Sequence, residues 1–520
     1  MIEVEVHYSL HSFLRSQGED SSWPHHLTMA RLVARALRLG RSALIQVGAT
    51  CGYQGQYRLS YLAPALMWPS PVLLVATKEV QQRLLRVDIP PLQQWLQTNK
   101  AIRTGDVWPN DDFQGLLLTS PEAWLKAQLE GGGEFPTGIP TLLDGVDELQ
   151  DWTRTALSAS IQPSDWDELM LACPNQVEAI RDARVQLTRA VFQHPVNPYE
   201  CYLICGREQD ILRRLYSTLV PIAVSRDSLL SLPDAWKKFG QRFQQDEQLL
   251  WATVARSQGL FSLHCAPAEV ATALSPIWSK QPVVLIGSTL DQQTEAPTYR
   301  KSVGLSDLTC LKFSADRHSE LIQLYLPDAM PLPNTPQFQA AFIEKVHSLL
   351  SLSSAVGGLT VVLVGDMPLK SQVGAILAAE FGSRVQVEKT SLDNNGILVT
   401  GWEFWQQHQG VLSAPQLMVI ATLPFPSLEN PLVAGRVAYY KRSRQDWFRL
   451  YLLPAALSEL AYAIAPVRER RGAIALLDSR VLHRSYGSQV LAALSPLARI
   501  NYLDPSLFSQ RNDSNSESIG

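Results

Sequence analysis

Apolar residues along the first 150 positions alternate between helical spacing and short continuous runs. One helical stretch, residues 27–39, carries apolar residues with the period of an amphipathic helix at Leu27, Ala30, Leu32, Val33, Ala36 and Leu37. The continuous runs at 42–48, 72–76, 115–119 and 139–143 are typical of strands buried on both faces. Since helical stretches separate these strands, the pattern predicts a parallel sheet with helical crossovers.

The pattern changes at residue 150 and returns after residue 275. Between these positions Leu, Gln, Arg, Asp and Trp recur at helical spacing, and we expect a mostly helical insertion. A strand pattern follows at 282–287, and a Pro-rich connector at 326–336 precedes further strands at 359–364, 396–400, 416–421 and 472–477. The predicted units are 1–149, the insertion 150–275, the end of the first domain at 276–325, a second domain at 326–508 and a disordered tail at 509–520.

The composition is that of a globular protein with several domains. Apolar residues make up 46% of the 520 residues and charged residues 18%, which excludes global disorder. The net charge of −4 does not bear on nucleic-acid binding, because such binding depends on local patches. Acidic residues stand at the start, where a signal peptide carries basic ones, and the sequence indicates no apolar stretch of roughly 18 residues. We therefore expect a cytoplasmic protein that does not enter a membrane.

Several short segments occur in a fixed order along nearly the whole chain. They are Trp23-Pro-His-His26, Ile45-Gln-Val-Gly48, Leu143-Asp-Gly-Val-Asp147, Gly287-Ser-Thr-Leu290, Gly401-Trp-Glu-Phe-Trp405 and the stretches 423–431, 451–456 and 476–481. In this order they resemble the motifs of DinG/XPD-type superfamily 2 DNA helicases, and the chain looks like a divergent, cyanobacterial-like member. The resemblance implies an α/β fold with two RecA-like (P-loop NTPase) domains and a helical insertion in the first. It also implies ATP-driven translocation on DNA.

The resemblance places a phosphate-binding loop before the helix that contains Pro64. Counting back from Pro64 puts Tyr57 and Arg58 where the family has Lys and Ser/Thr, and a shift of one residue makes Gly55-Gln56-Tyr57 the equivalent instead. Neither register supplies the Lys or the Ser/Thr, although Arg58 could lend charge to a phosphate. Nucleotide binding and a plain glycine-bearing turn are equal alternatives here. The nucleotide-binding candidates are His26, Gly48, Gly52, Gly55, Gln56, Tyr57 and Arg58.

Two further motifs of the family are degraded. Asp144 stands at a strand end, where the family's aspartate holds Mg²⁺ through water, but Gly145 replaces the glutamate that orients the attacking water. Asp144 is thus the remaining catalytic candidate, and a solvated acidic turn is the alternative. The arginine-finger element of motif VI falls on Glu459, Tyr462, Ala463 and Pro466. Three arginines lie just downstream, namely Arg468, Arg470 and Arg471. They could take the role of the arginine finger only if the loop has a different conformation from the family's.

The resemblance also bears on cofactors and metals. It implies ATP and Mg²⁺, with hydrolysis weak or absent because of the altered motifs. The family's iron–sulfur cluster uses four cysteines between motifs I and II, and this sequence has no cysteine between Arg58 and Asp144. Of the six cysteines only Cys201 and Cys205 lie close together, which is a weak metal signal. We expect no iron–sulfur cluster and predict no other metal site.

A basic segment near the C-terminal end is a candidate surface for nucleic acid. Residues 434–484 contain ten Lys/Arg and four Asp/Glu, with aromatic residues between them, among them Tyr439, Tyr440 and Trp447. Basic charge with stacking rings suits a track for single-stranded nucleic acid. The alternative is an ordinary solvated helix whose rings face the core. The binding candidates are Lys441, Arg442, Arg444 and Arg449.

Together these features predict a DinG-like helicase homologue that binds DNA, in its single-stranded form, and hydrolyses ATP weakly or not at all. The alternative is a non-catalytic protein, on the same fold, that binds single-stranded nucleic acid or acts as a scaffold. A nucleotide-binding regulator ranks third. The sequence identifies no protein partner.

Overall fold

The computed structural model describes residues 2–18, 23–219, 232–313, 321–354, 356–504 and 507. The predicted tail at 509–520 lies outside these residues. The chain first forms α1 (Ile2–Ser16), α2 (His26–Leu39), β1 (Ala43–Gln46), α3 (Ala49–Gln54), α4 (Arg58–Met67), β2 (Val72–Val75), α5 (Lys78–Arg83), α6 (Ile89–Leu96), β3 (Ile102–Thr104), β4 (Leu116–Thr119), α7 (Pro121–Glu130), β5 (Thr141–Asp144) and α8 (Leu149–Ala156).

The insertion and the end of the first domain come next. The insertion contains β6 (Ala159–Ile161), α9 (Asp165–Ala172), α10 (Val177–Gln193), β7 (Cys201–Leu203), α11 (Arg207–Leu219), α12 (Asp234–Phe243), β8 (Gln248–Ala255) and β9 (Leu260–Pro267). The chain then returns to the first domain with α13 (Ala271–Trp278), β10 (Val283–Gly287), α14 (Pro297–Ser302) and β11 (Thr309–Lys312).

The second domain repeats the αβ pattern. Its elements are β12 (Ile322–Tyr325), α15 (Pro336–Ser353), β13 (Thr360–Leu363), α16 (Met367–Phe381), β14 (Val385–Val387), β15 (Ile397–Thr400), α17 (Trp402–His408), β16 (Leu417–Ile420), α18 (Pro431–Arg442), α19 (Leu453–Ala463), α20 (Ala465–Glu469), β17 (Ala473–Leu476), α21 (Arg480–His483), α22 (Gly487–Ala493) and β18 (Leu497–Ile500).

Two parallel sheets of seven strands form the cores of the two domains. Their strand orders are β11-β1-β10-β5-β2-β4-β3 and β14-β15-β13-β16-β17-β12-β18. The central strands are continuous apolar runs buried on both faces, as β1, β2, β5 and β10 illustrate. Helices on both faces bury such runs, which explains why the sheets are parallel. The two-domain α/β fold predicted from the sequence is confirmed.

The insertion requires a correction. Helices α9 to α12 are present, but they pack on an antiparallel sheet of order β6-β9-β8-β7 that the prediction missed. Its longest strands, β8 and β9, form a hairpin closed at Gly259, whose φ of 67° suits glycine. Along β8 the buried Leu250, Ala252 and Val254 alternate with the partly exposed Trp251 and the exposed Thr253, which is the period of a half-buried strand. The prediction of a mostly helical insertion overlooked this alternation.

The domain boundary also requires a correction. The strand β12 pairs with β17 and β18 of the second sheet, whereas the prediction assigned residues up to 325 to the first domain. The Pro-rich segment at 326–336 is therefore a loop within the second domain, between β12 and α15.

One helical stretch is long and apolar enough to cross a membrane by length and composition, namely Phe448–Glu469. The expectation that no apolar stretch of this length occurs was therefore wrong. Most of this stretch is buried, and Leu453, Leu457 and Leu460 pack in the core of the second domain around Trp405. Core packing accounts for its apolar character, because a helix buried in the core of a protein is apolar on all sides, as a membrane-spanning helix is.

Candidate nucleotide cleft and nucleic-acid surface

The segment expected to hold phosphate is a tight helical turn between β1 and α4. Gly48, with φ of 88°, leads into α3, and Gly55, with φ of 70°, ends it. Gly52 lies so close to the segment after β10 that a Cβ there would come within 2.4 Å of Cβ of Ser288. The glycines are thus explained by backbone geometry and by close packing. Gln56 is half-buried in the connection that follows.

Three side chains from this segment converge on Asp144. The Tyr57 hydroxyl donates to one carboxylate oxygen of Asp144. The Tyr61 hydroxyl and Arg58 Nε donate to the other oxygen, at 2.9 Å and 3.2 Å. The Asp144 side chain is only 1% exposed, and that of Arg58 12%. Burial raises the pKa of both tyrosines, so that they remain protonated donors.

This arrangement does not fit the Mg²⁺–ATP that the family implies. Mg²⁺ needs an available carboxylate oxygen or water held by one, whereas both oxygens of Asp144 accept hydrogen bonds and face a guanidinium. The Arg58 side chain also lies across the loop, so close to Gly55 that a Cβ on that residue would come within 2.3 Å of Arg58 Nη1. Arg58 therefore points at Asp144 and neutralises it. Gly145, at the position of the family's glutamate, has φ of 82°, a backbone conformation that a glutamate rarely adopts.

Asp147 has a structural role that the sequence did not reveal. Its carboxylate accepts hydrogen bonds from the backbone N–H groups of Ser288 and Thr289 at 2.8 Å and 2.9 Å, and from Ser288 Oγ at 2.9 Å. The turn after β5 is thereby tied to the segment after β10. Its neighbour Glu148 accepts a hydrogen bond from Trp152 Nε1 at 3.0 Å.

The same two segments contact the second domain directly. Thr289 Oγ1 lies 3.1 Å from Ser458 Oγ on α19, and the Tyr53 hydroxyl on α3 donates to the Gln409 carbonyl at 3.1 Å. Helix α3 also packs against α19 and α20. The cleft between the two domains is therefore closed at α3 and at the segment after β10.

The motif VI positions bring no arginine to Asp144 in the described part of the chain. Arg468 is 3% exposed and donates to the Ser495 and Pro496 carbonyls, so it stabilises the interior of the second domain. Arg470 donates to the Ala414 carbonyl at 3.3 Å. Glu459, at the first position of the motif, has its pKa raised to about 7 by burial.

His26, one of the nucleotide-binding candidates, faces the protein interior. It is 2% exposed, and its Nδ1 lies 2.8 Å from Ser60 Oγ on α4. Burial, and then the neighbouring His25, lower the pKa of His26 to about 4, so the ring is neutral. The adjacent His25 stacks on Phe313 with ring centroids 4.9 Å apart. The structure thus gives His26 a packing role between α2 and α4.

The basic segment of the second domain is exposed, but part of its aromatic content is buried. Lys441, Arg442, Arg444 and Arg449 are exposed. Tyr439 and Tyr440 are 6% and 9% exposed and pack on Leu249 and Ala268 of the insertion. These two rings therefore dock the insertion on α18 and are not available to stack on bases, which corrects that part of the prediction. Lys441 Nζ lies 5.3 Å from the ring centroid of the half-buried Trp447.

Within the described ranges, no group of three or more His, Cys, Asp or Glu side chains is arranged to hold a metal ion. The expected absence of an iron–sulfur cluster stays a prediction.

Comparison with known proteins shows which proteins this chain resembles in sequence. The helicase C-terminal domain family matches residues 412–497. The ATP-dependent DNA helicase YoaA of Escherichia coli is 30% identical over 108 residues, which is 20% of this chain and 17% of YoaA. YoaA of Haemophilus influenzae is 25% identical over 138 residues, 26% of this chain and 22% of that protein. The alignments thus span about a fifth of these relatives.

Solved structures extend the likeness to the whole fold. An XPD helicase structure matches with a TM-score of 0.56 and 11% identity, over 93% of this chain and 100% of the other. Xpd4 of S. tokodaii matches with a TM-score of 0.58 and 12% identity, over 92% and 100%. At such identity the matches show the fold alone. Together with the helicase C-terminal domain match and the YoaA alignments, they support a resemblance of this chain to DinG/XPD-type superfamily 2 helicases.

Proposed function

We propose that this protein binds single-stranded DNA on a helicase fold and hydrolyses ATP weakly or not at all. The observation that carries the second part is the burial of the Asp144 carboxylate under Tyr57, Arg58 and Tyr61. Releasing Asp144 for a metal ion would break an ion pair and leave buried donors without acceptors, which is costly. Without the lysine, the glutamate and the arginine finger, nothing offsets that cost.

Nucleic-acid binding rests on different residues from hydrolysis. Lys441, Arg442, Arg444 and Arg449 are four exposed cations on α18 and the segment after it. Such a patch attracts the phosphate backbone by releasing counterions. The partly matching relatives are named ATP-dependent DNA helicases, which favours DNA as the ligand. A cytoplasmic location is part of the proposal.

The test is binding of a fluorescent single-stranded oligonucleotide followed by anisotropy over a series of salt concentrations. We expect salt-sensitive binding that ATP and Mg²⁺ leave unchanged. Reversing Lys441, Arg442, Arg444 and Arg449 to Glu reduces the slope of log affinity against log salt by up to about 3, at about 0.7 per phosphate contact.

The matched control reverses four exposed cations elsewhere, Arg31, Arg35, Arg86 and Lys389. It changes the net charge equally and should leave the slope close to that of the unmodified protein. Absence of binding, or equal slopes for the two quadruple variants, would contradict the proposed surface.

A further inference from the structure

A cavity of about 710 Å³ lies where the insertion meets α18 of the second domain. One wall contains Arg442 and Ser443, at the C-terminal end of α18. The opposite wall contains Gln209 and Arg213 of α11, and the end of α12 with the turn that leads into β8, residues 243–248. The volume lies within the range of about 300–1,000 Å³ that is typical of sites for small organic molecules.

A hydrogen bond fixes the two walls relative to each other. The Tyr439 hydroxyl on α18 donates to Oε2 of Glu247, in the turn between α12 and β8, at 3.0 Å. The φ of Glu247 is 63°, a left-handed conformation that costs about 1–3 kcal/mol and persists only where the surroundings hold it. Tyr439 is also buried against Leu249 and Ala268. The cavity is therefore formed before any ligand enters, which lowers the entropic cost of binding.

The charges in the lining of this cavity cancel. Arg213 and Arg442 are balanced by Asp246 and Glu247, and Arg213 Nη1 also donates to Asp210 at 2.6 Å. A phosphate inside would meet two carboxylates without an excess of positive charge. The other three cations of the basic patch lie outside the cavity. The lining therefore suits an uncharged polar group, with phosphates remaining on the patch.

The uncharged part of the lining offers the groups that bind a nucleobase. Phe243 is half-buried in the wall, and an aromatic ring can stack on the π-face of any base. Gln244 beside it is exposed, and its amide makes no hydrogen bond in the described part of the chain, so it offers a donor and an acceptor to a base edge. Gln209 is already engaged, since it donates to the Ile204 carbonyl at 2.8 Å and accepts from Arg213 at 2.9 Å.

Arg442 joins the cavity to the basic patch, because it belongs to both. Lys441 precedes it on α18, and Arg444 follows two residues later. A nucleic-acid backbone bound on the patch therefore passes the rim of the cavity, and a base that turns away from the backbone there enters it.

We infer that this cavity holds one base of the single strand that binds on the basic patch. The base stacks on Phe243, its edge contacts the Gln244 amide, and Arg442 contacts the adjoining phosphate at the rim. This inference rests on the proposed function, because the base belongs to the same ligand. It makes the insertion, which contributes Phe243 and Gln244, part of the binding surface. Since stacking tolerates any sequence, the site should accept every base.

The test compares two fluorescent single strands of equal length and charge by anisotropy over a series of salt concentrations. One is oligothymidylate, and the other is an abasic strand with the same phosphates and no bases. The unmodified protein should bind oligothymidylate about fivefold to 150-fold more tightly, the effect of one stacked base. Phe243→Leu should remove most of this preference. It should leave the affinity for the abasic strand and both salt slopes unchanged, because leucine alters no charge.

A second variant and a control complete the experiment. Gln244→Ala, at an exposed position, should lower the affinity for oligothymidylate about twofold to tenfold and leave that for the abasic strand unchanged. This variant keeps the test decisive if Phe243→Leu unfolds the protein, since Phe243 also packs on the core of the insertion. The matched control is Phe381→Leu, a half-buried phenylalanine at the end of α16, which should bind both strands as the unmodified protein does.

Three results would overturn the inference. Equal affinities of the unmodified protein for the two strands would show that no base is held. A preference for oligothymidylate that persists in Phe243→Leu and Gln244→Ala would place the base elsewhere. Equal losses for both strands in Phe243→Leu, with Gln244→Ala unaffected, would mean that the ring supports the fold instead. In each case the proposed function stands, because single strands still bind. If neither strand binds the unmodified protein, the proposed function itself fails.

Discussion

Arg58 and Asp144 form a buried ion pair, with Arg58 Nε 3.2 Å from Asp144 Oδ2. In a working site of this family, a cation in the loop would face the nucleotide and the aspartate would face the metal ion. Here the loop cation and the aspartate face each other. The two residues that the sequence suggested as phosphate and metal contacts thus form a structural contact between α4 and β5.

Replacing Arg58 by Met should destabilise the first domain by about 3–5 kcal/mol, because it leaves the buried Asp144 carboxylate without its counter-charge. The measurement is the free energy of unfolding in urea, followed by circular dichroism. Arg86→Met, at an exposed position of the same domain, is the control and should change this free energy by less than about 0.5 kcal/mol. Equal stabilities of the two variants would show that the ion pair does not stabilise the fold.

The central strands could be predicted from the sequence because each is a continuous apolar run buried on both faces, as β13, β15, β16 and β17 are. The short strands could not. Strands β3 and β14 have three residues each, lie at sheet edges and are partly exposed, so they carry no apolar run.

The sequence identified two residues of the site but not the way in which their side chains pair. Arg58 and Asp144 were both candidates, yet the sequence suggested that Arg58 would assist a phosphate. Their pairing arises because β1 and β5 lie on either side of β10, which brings segments 86 residues apart together. Tyr61 gave no signal, because a tyrosine in an apolar helix is typical of ordinary core packing.

The closed cleft predicts a cross-link between the two domains. Thr289 Oγ1 and Ser458 Oγ are 3.1 Å apart, so Thr289→Cys with Ser458→Cys should form a disulfide under mild oxidation. Mass spectrometry of proteolytic peptides detects the linked pair. The control pairs Thr289→Cys with Ser351→Cys, an exposed position on α15, and should give no such link. A missing link in the first pair would mean that the domains are apart in solution.

Glu459 predicts a pH dependence of stability. Burial raises its pKa from 4.5 to about 7, so the folded state binds the proton more tightly than the unfolded state. The stabilisation of the folded state by protonated Glu459 is therefore fully present below pH 4.5 and is lost as the pH rises through 7. The free energy of unfolding falls by at most about 3 kcal/mol over this range. Glu459→Gln should remove this decrease and melt higher than the unmodified protein at pH 8. Parallel pH profiles of the two proteins would contradict a buried, protonated Glu459.

The missing cysteines predict a protein without an iron–sulfur cluster. Protein purified without oxygen should contain well under one iron atom per chain by elemental analysis and should lack the visible absorption of such clusters. Iron at about four atoms per chain would contradict this prediction.

The most direct test of the account is ATP turnover by the purified protein, with and without saturating single-stranded DNA. We expect turnover far below about 1 s⁻¹, no stimulation by DNA, and the same residual rate in an Asp144→Asn variant, since Asp144 is bound to Arg58, Tyr57 and Tyr61. Turnover of about 1 s⁻¹ or faster that DNA stimulates and Asp144→Asn abolishes would contradict it.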